Sequence, residues 1–342
     1  MRLHNTTSWL ISITLVIILL IYGQPIIVPF VIALLIWFVV KKTRNLIDKI
    51  NFVHKYIPKW IKSVLASFVV FGLMVFASNI LIRNIESLAK SYESYASNIE
   101  LIALKINKLF NIDIQEEIIS FAQDFDFGTY LQSLLNSLTE ILGNTVMIIF
   151  YLVFMFVEET LFEKKLKMMF TDKEQYLNYA QIFQKVDKSM SSYISLKSLI
   201  SLMTTTLSYF VLLAVGIDSP LFWAFLIFVF NFIPSVGPIM GTVLPALFSL
   251  IQFGEFVPFL IILFGAGTIA TLVGSLVEPR LMGNTLNISP LVAILSLALW
   301  GSLWGITGML LSVPITVAMI IVLAQFKSTR SVAILLSEKG TV

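Results

Sequence analysis

Two stretches near the C-terminal end, residues 219–254 and 281–326, carry no charged residue, and each is interrupted midway by glycine and proline. The first holds Ile233-Pro-Ser-Val-Gly237-Pro238-Ile-Met-Gly241, with Pro245 beyond; the second holds Trp300-Gly-Ser-Leu-Trp-Gly305-Ile-Thr-Gly308, with Pro314 beyond. Each core opens on the same tripeptide, Ser219-Pro220-Leu221 and Ser289-Pro290-Leu291. A glycine follows the serine by 18 and 19 residues (Gly237, Gly308) and a proline by 26 and 25 (Pro245, Pro314). A helix needs roughly 20 apolar residues to cross about 30 Å of hydrocarbon. Each stretch is therefore too long for one straight helix, while its halves are short for two. In a membrane protein, paired interrupted segments point to a midplane binding site.

Hydrophobic residues make up 58% of the chain and charged residues 13%, about half the charge of a soluble domain. An all-α polytopic membrane protein follows, with about eight membrane segments that include the two broken or re-entrant hairpins. Barrel strands would show short alternating segments in place of continuous apolar runs. Without cysteine, disulfides, thiolate catalysis and Cys-ligated metals are excluded. With only His4 and His54, no metal or histidine site is expected. No phosphate-binding loop, His-Glu-x-x-His or Gly-x-Ser-x-Gly occurs, so neither an enzyme nor a self-contained ATP-driven pump is expected. No cofactor and no nucleic-acid partner is expected; the partners are the lipid bilayer and a small-molecule or ion substrate.

The uncharged run after Met1-Arg2 has no small-residue cleavage site before the next hydrophobic segment, so it reads as mature helices over 9–22 and 26–40, turning at Gly23-Gln-Pro25. The first is short enough to be partly re-entrant. Further spans are 63–82, 141–157, 198–217 and 256–277. Between Lys41 and Lys62 there are seven Lys/Arg against Asp48 alone, and 158–192 carries six lysines; 83–137 has four Lys/Arg and eight acids. The positive-inside rule makes the first two loops cytoplasmic, 83–137 extracytoplasmic, and both termini cytoplasmic.

In the outer segment, Ile85, Leu88, Tyr92, Tyr95, Ile99, Ile102, Ile106 and Leu109 fall at steps of 3 and 4, a heptad seam continuing the preceding span outward as a rod. A second amphipathic stretch, Ile114 to Leu138, would return to the membrane. The seam serves either an intramolecular hairpin or an oligomerisation arm. Residues 158–188 read as a cytoplasmic amphipathic helix with Phe162, Leu166, Met169, Tyr179, Phe183 and Val186 apolar. Ser191, Ser192, Ser195, Ser198, Ser201, Thr205 and Ser208 form a small polar stripe, suited to close helix packing or to a polar translocation face. Lys197 reads as shallow enough to snorkel to the interface.

The break at Pro234-Ser-Val-Gly-Pro238 removes two backbone donors and loosens the chain at Gly237. Freed carbonyls at that depth must be met by protein, water or ligand, so the break is either a hairpin tip that meets substrate or a packed kink. Asn231, one turn earlier, can add an amide contact to substrate or make a packing hydrogen bond. Glu278-Pro279-Arg280 lies between uncharged stretches; charges at membrane depth mark pathways or ion pairs, and the alternative is an interfacial pair at a helix end.

The motif at 233–241, with Val277-Glu-Pro-Arg280-Leu-Met-Gly283, Ser289-Pro-Leu-Val and Trp304-Gly-Ile-Thr-Gly-Met-Leu-Leu-Ser-Val-Pro314, resembles the AI-2E (autoinducer-2 exporter) family over nearly the whole chain. The resemblance implies a bacterial inner-membrane transporter of about eight spans that forms homo-oligomers. Some members are linked to export of the quorum-sensing signal autoinducer-2, and others behave like Na⁺(Li⁺)/H⁺ antiporters. The chain departs from the family pattern at Ser235, where members often carry Tyr, and at Leu196-Lys197, where they often have Gly-Gln.

These readings divide the chain into N-terminal helices 1–82, an outer arm 83–137, a fourth span with its connecting helix 138–192, a transport core 193–326 and a tail 327–342. The two broken segments would enter from opposite faces and meet near the midplane. The expected translocation residues are Asn231, Pro234, Ser235, Gly237, Pro238, Gly241, Glu278, Arg280, Gly305, Thr307, Gly308 and Pro314. Three functions follow: export of a small polar metabolite such as autoinducer-2, cation/proton antiport through Glu278 or Glu158, or a non-transporting oligomeric scaffold.

Overall fold

Apolar side chains occupy nearly every helical position of the spans, so the fold is set by where the helices stop. The computed structural model describes residues 2–110, 145–170, 172–283 and 287–340. Among them the chain is helical throughout: α1 (Arg2–Tyr22), α2 (Gln24–Ile47), α3 (Asn51–Tyr56), α4 (Lys59–Phe110), α5 (Thr145–Met169), α6 (Lys173–Val215), α7 (Pro220–Phe230), α8 (Val236–Phe253), α9 (Phe256–Leu272), a π-helical turn (Val273–Val277), α10 (Glu278–Met282), α11 (Pro290–Leu323) and α12 (Arg330–Leu336). Seven of the described helices are long and apolar enough to cross a membrane, and Pro220–Phe230 is a shorter apolar helix. The protein is an all-α polytopic membrane protein.

The chain folds into two compact units that interleave in sequence, one of residues 1–68, 144–195 and 284–342, the other of 69–143 and 196–283. Helices α4 and α6 each run from one unit into the other.

In the first unit α1 and α2 are separated at Gly23, as the sequence suggests, and α1 starts earlier than the apolar run, at Arg2. Pro25 sits in the first turn of α2, where its missing N–H costs no bond. Helix α2 runs beside α5: the Phe30 and Tyr151 rings meet edge-on at 5.5 Å. The buried Arg44 guanidinium donates to both oxygens of Glu159, at 2.9 and 3.2 Å, and to the Ser63 hydroxyl at 2.9 Å. Lys41 pairs with Asp187 at 2.8 Å, and Lys62 with Asp48. The stretch 158–188 differs from the single amphipathic helix its pattern suggests. The chain turns between α5 and α6, and Phe170 stacks on Tyr179 at 4.5 Å while Phe162 meets Phe183 at 4.9 Å. The aromatic stripe pairs the two arms of a hairpin.

In the second unit α4 is one helix of 52 residues counting its start in the first, about 78 Å at 1.5 Å per residue, so the expected rod is present. Its seam residues Ile85, Leu88, Tyr95 and Ile102 are buried. The first three share a core with Leu212, Phe222, Trp223, Ile227, Ala246, Phe248 and Ile262. That part of the seam is used within the chain. The return stretch 114–138 lies outside the described residues, as do the side chains of Tyr92, Ile99, Ile106 and Leu109.

Candidate functional site

Both broken stretches are hairpins, and the same backbone device closes each. In the first, Asn231 ends α7 with its N–H bonded to the Ile227 carbonyl. Ile233 N–H then returns to the Phe230 carbonyl at 2.7 Å, and Val236 N–H bonds the Pro234 carbonyl at 2.6 Å across Ser235. Ser235 adopts φ 60°, ψ −46°, the rare and strained form of γ-turn, held in a non-glycine residue. Helix α8 then folds back along α7. A Cβ on Gly237 would lie 2.6 Å from the Phe230 carbonyl carbon and overlap its oxygen, and one on Gly241 would lie 3.4 Å from Ile227 Cα. Gly237-x-x-x-Gly241 is therefore the small-residue face that lets two helix backbones touch. Neither Pro234, in the turn, nor Pro238, in the first turn of α8, removes a helical hydrogen bond. The two donors are absent, as expected from sequence, but their absence breaks no helical hydrogen bond, because both prolines fall where N–H groups have no intrahelical partner.

The second hairpin turns at Trp304 (φ −129°, ψ 17°) and Gly305 (φ 60°, ψ −142°) inside α11. A Cβ on Gly308 would lie 2.6 Å from the Trp300 carbonyl carbon, the same approach as at Gly237. The Trp300 indole N–H donates to the Thr316 hydroxyl at 3.2 Å. In a straight helix those residues would stand about 24 Å apart, which rules out a single kinked span.

The two turns differ in how their polar groups are met. The Trp304 indole N–H donates to the Leu20 carbonyl at 3.0 Å, one of the carbonyls that the break at Gly23 would leave short of a donor. Around it Trp300, Trp304 and Leu311 pack with Leu20, Ile27, Val28 and Val31. At the first hairpin, Asn231 is only 6% exposed, yet its Nδ2 has no hydrogen-bond partner among the described residues; buried Trp223 Nε1 is in the same condition. Such a donor costs about 1–3 kcal/mol unless something meets it.

The base of the first hairpin is clamped by polar groups. Gln252 accepts from the Asp218 N–H at 2.7 Å and donates to the Gly216 carbonyl at 3.1 Å. Asn98 Nδ2 donates to the Ile251 and Gln252 carbonyls, and Lys105 Nζ to the Gly254 carbonyl at 2.7 Å, so α4 caps the C-terminus of α8. The Tyr95 hydroxyl donates to the Asp218 carboxylate. Burial and that neighbouring carboxylate push the phenol up to about 12.

The predicted site residues thus form three groups. Asn231, Pro234, Ser235, Gly237, Pro238 and Gly241 share the first tip, with Ser235 exposed and both glycines buried. Gly305, Thr307 and Gly308 share the second, with Pro314 buried further along its return arm. Glu278 and the exposed Arg280 lie on α10, directly after the π turn. Lys197 is the residue sequence reasoning passed over: it does not snorkel but is buried, its ammonium 2.5 Å from Glu278 Oε1. Only the distant carboxylate decides this, and no local pattern around Lys197 announces it. The stripe on α6 ends in three hydroxyls, Ser201, Thr205 and Ser208, with no partner among the described residues. Among those residues no cluster of His, Asp or Glu stands ready to hold a metal.

A family model described as AI-2E family transporter matches residues 10–328. The chain belongs to the AI-2E transporter family. It is 30% identical over 326 residues to a protein named AI-2 transport protein TqsA from Escherichia coli, covering 93% of this chain and 91% of that one. A putative transport protein of Borreliella burgdorferi is 32% identical over 254 residues (73% and 68% covered). Another, from Haemophilus influenzae, is 26% identical over 349 residues (99% and 97% covered). As an AI-2E family member the chain is a multi-pass membrane transporter of a bacterial family.

Proposed function

We propose that this transporter exports a small polar metabolite of the autoinducer-2 type, and that the first hairpin tip meets it. The observation that carries the reading is Asn231: a buried amide donor without a partner among the described residues, at the end of a helix that stops beside a strained turn. A polyol or furanosyl ligand supplies the oxygen acceptor that the amide lacks, and the exposed Ser235 hydroxyl offers a second contact. Gly237, Pro238 and Gly241 hold the tip's shape, with Pro234 as its turn. Thr307, beside Gly305 and Gly308, gives the second tip a hydroxyl, while Pro314 sets its return arm. The name of the Escherichia coli relative supports the substrate class. The transport core is taken as 193–326, with 1–82 and the arm 83–137 as scaffold for a homo-oligomer. The chain would lie in the cytoplasmic membrane with both termini inside, and no cofactor enters.

A second reading, Na⁺(Li⁺)/H⁺ antiport, rests on Glu278, a carboxylate with Arg280 two residues on, set just after a π turn; π turns recur at functional sites. Proteoliposomes loaded with autoinducer-2, and separately with Na⁺ under an imposed pH gradient, decide between them. Autoinducer-2 flux that falls at least tenfold in Asn231→Leu is the expected result. Na⁺/H⁺ exchange without autoinducer-2 flux would replace export by antiport. Neither flux, from a wild-type protein that is folded and assembled in the vesicles, would leave a scaffold.

A further inference from the structure

The connection between α2 and α4 forms a small platform that takes no part in the hairpins. Its inner side is tied by charge. Asp48, just past α2, accepts from Lys62 on the first turn of α4 and lies 3.2 Å from His54 Nδ1 on α3. Lys62 Nζ also reaches the His54 carbonyl at 3.4 Å. One carboxylate thereby holds α2, α3 and α4 together. The outer side is apolar and uncovered. Phe52 and Tyr56, one turn apart on α3, bring their rings to 5.2 Å, and Lys55 Nζ stands 5.4 Å over the Tyr56 ring. These three residues share one face of the helix. Phe52, Tyr56 and Trp60 are each about two-thirds exposed.

Helix α4 fixes the depth of this face. Trp60, Val64 and Phe68 follow at steps of four and are all exposed, so one side of the helix runs away from the platform uncovered by the chain. The helix is long and apolar enough to cross a membrane, and such a side meets lipid. The platform at its head then lies where hydrocarbon gives way to headgroups, the level that Trp and Tyr favour. Charge selects the headgroup. Of the seven Lys/Arg between Lys41 and Lys62, Lys41, Arg44, Lys59 and Lys62 are held by Asp187, Glu159 and Asp48. Lys42, Lys49 and Lys55 are exposed, with no carboxylate partner among the described residues. A zwitterionic surface would accept the aromatic rings but leave these three without counter-charge, whereas an anionic one attracts each of them.

We propose that the face made by Phe52, Lys55, Tyr56 and Trp60, with Lys49 beside it, is a docking surface for anionic lipid headgroups of the bilayer. The inference goes beyond the transport reading and does not depend on what is carried.

The test uses the purified full-length protein in vesicles containing brominated phosphatidylglycerol or brominated phosphatidylcholine. Among six tryptophans, the fluorescence of Trp60 is the part lost in Trp60→Phe. In the wild type that part is expected to be quenched at a lower mole fraction of phosphatidylglycerol than of phosphatidylcholine. Lys49→Gln/Lys55→Gln is expected to shrink this preference about fivefold, the low end for two lysines at an anionic surface, and added salt to shrink it in the wild type. Equal quenching of the wild type by the two lipids would overturn the proposal. So would a Trp60 that neither lipid quenches: open to acrylamide, the face would lie in water; shielded from it, against protein, a second copy included. Should Trp60→Phe not fold, thermal unfolding in detergent with either lipid added decides instead. Phosphatidylglycerol is then expected to stabilise the wild type more than phosphatidylcholine does, and the lysine variant equally; no such difference in the wild type would overturn the proposal.

Discussion

The two hairpins use one backbone solution and opposite polar chemistry. In both, a glycine lies directly against a carbonyl from the other arm, Gly237 on Phe230 and Gly308 on Trp300, with the same 2.6 Å from a built Cβ to the carbonyl carbon. In the second hairpin the nearby indole donors are spent inside the protein, on Thr316 and on the Leu20 carbonyl. In the first, the Asn231 amide and the Trp223 indole are buried with no partner among the described residues. Matched backbones with unmatched satisfaction separate shape from polar pairing: glycine placement makes the turn, and the proposed recognition rests on the donors left unsatisfied.

The largest effect should come from what the hairpins share. Gly237→Ala and Gly308→Ala each drive a Cβ into backbone that no rotamer change can clear, at a cost of about 3 kcal/mol or more. Both proteins should lose several degrees of thermal stability in detergent. A large loss in one alone would show that the two turns are not equivalent.

The next effect should divide them. Asn231→Leu removes an unsatisfied buried amide, so unfolding temperature should hold or rise slightly while autoinducer-2 flux falls. Trp304→Phe removes a satisfied donor and should lower stability by about 1 kcal/mol with flux per folded molecule unchanged. The reverse pattern would assign recognition to the second hairpin.

The smallest effect concerns the base of the first hairpin. The Tyr95 phenol is pushed up to about 12 from an ordinary value near 10. A folded value above the unfolded one means that this contact stabilises fully below pH ~10 and is lost as pH rises through about 12. Alkaline titration followed by phenolate absorbance should show a late-titrating tyrosine in the wild type that is missing in Tyr95→Phe. At the second hairpin's base the Ser289 N–H donates to the Leu336 carbonyl at 3.1 Å, a bond that does not titrate in this range. Hydrogen exchange should therefore rise around 216–254 before 289–323.

Much of this is legible in the chain. The uncharged runs, the repeated Ser-Pro-Leu and the spacing of Gly237 and Gly308 locate both breaks by residue pattern alone. The heptad seam foretells the rod of α4, and Gly23-Gln-Pro25 foretells where α1 gives way to α2. Other features leave weaker traces. Gly237-x-x-x-Gly241 is a readable small-residue motif for close packing, whereas the π turn before Glu278 has no sequence signature of its own. The aromatic residues of 158–188 have helical spacing whether they line one surface or zip two arms, so periodicity cannot separate those outcomes.

By itself the sequence determined the class of the protein, the order of its membrane segments and the places where the two long stretches are broken. Hydropathy, proline and glycine act through a residue's own backbone and immediate neighbours. Only the tertiary structure decided that both breaks are hairpins, that they fall in different compact units, that Asn231 keeps an unmet donor while Trp304 does not, and that Lys197 meets Glu278. Each of these is a pairing between groups distant in sequence, or the failure of such a pairing. In an apolar environment a polar group's fate depends on which partner the fold brings within about 3 Å of it.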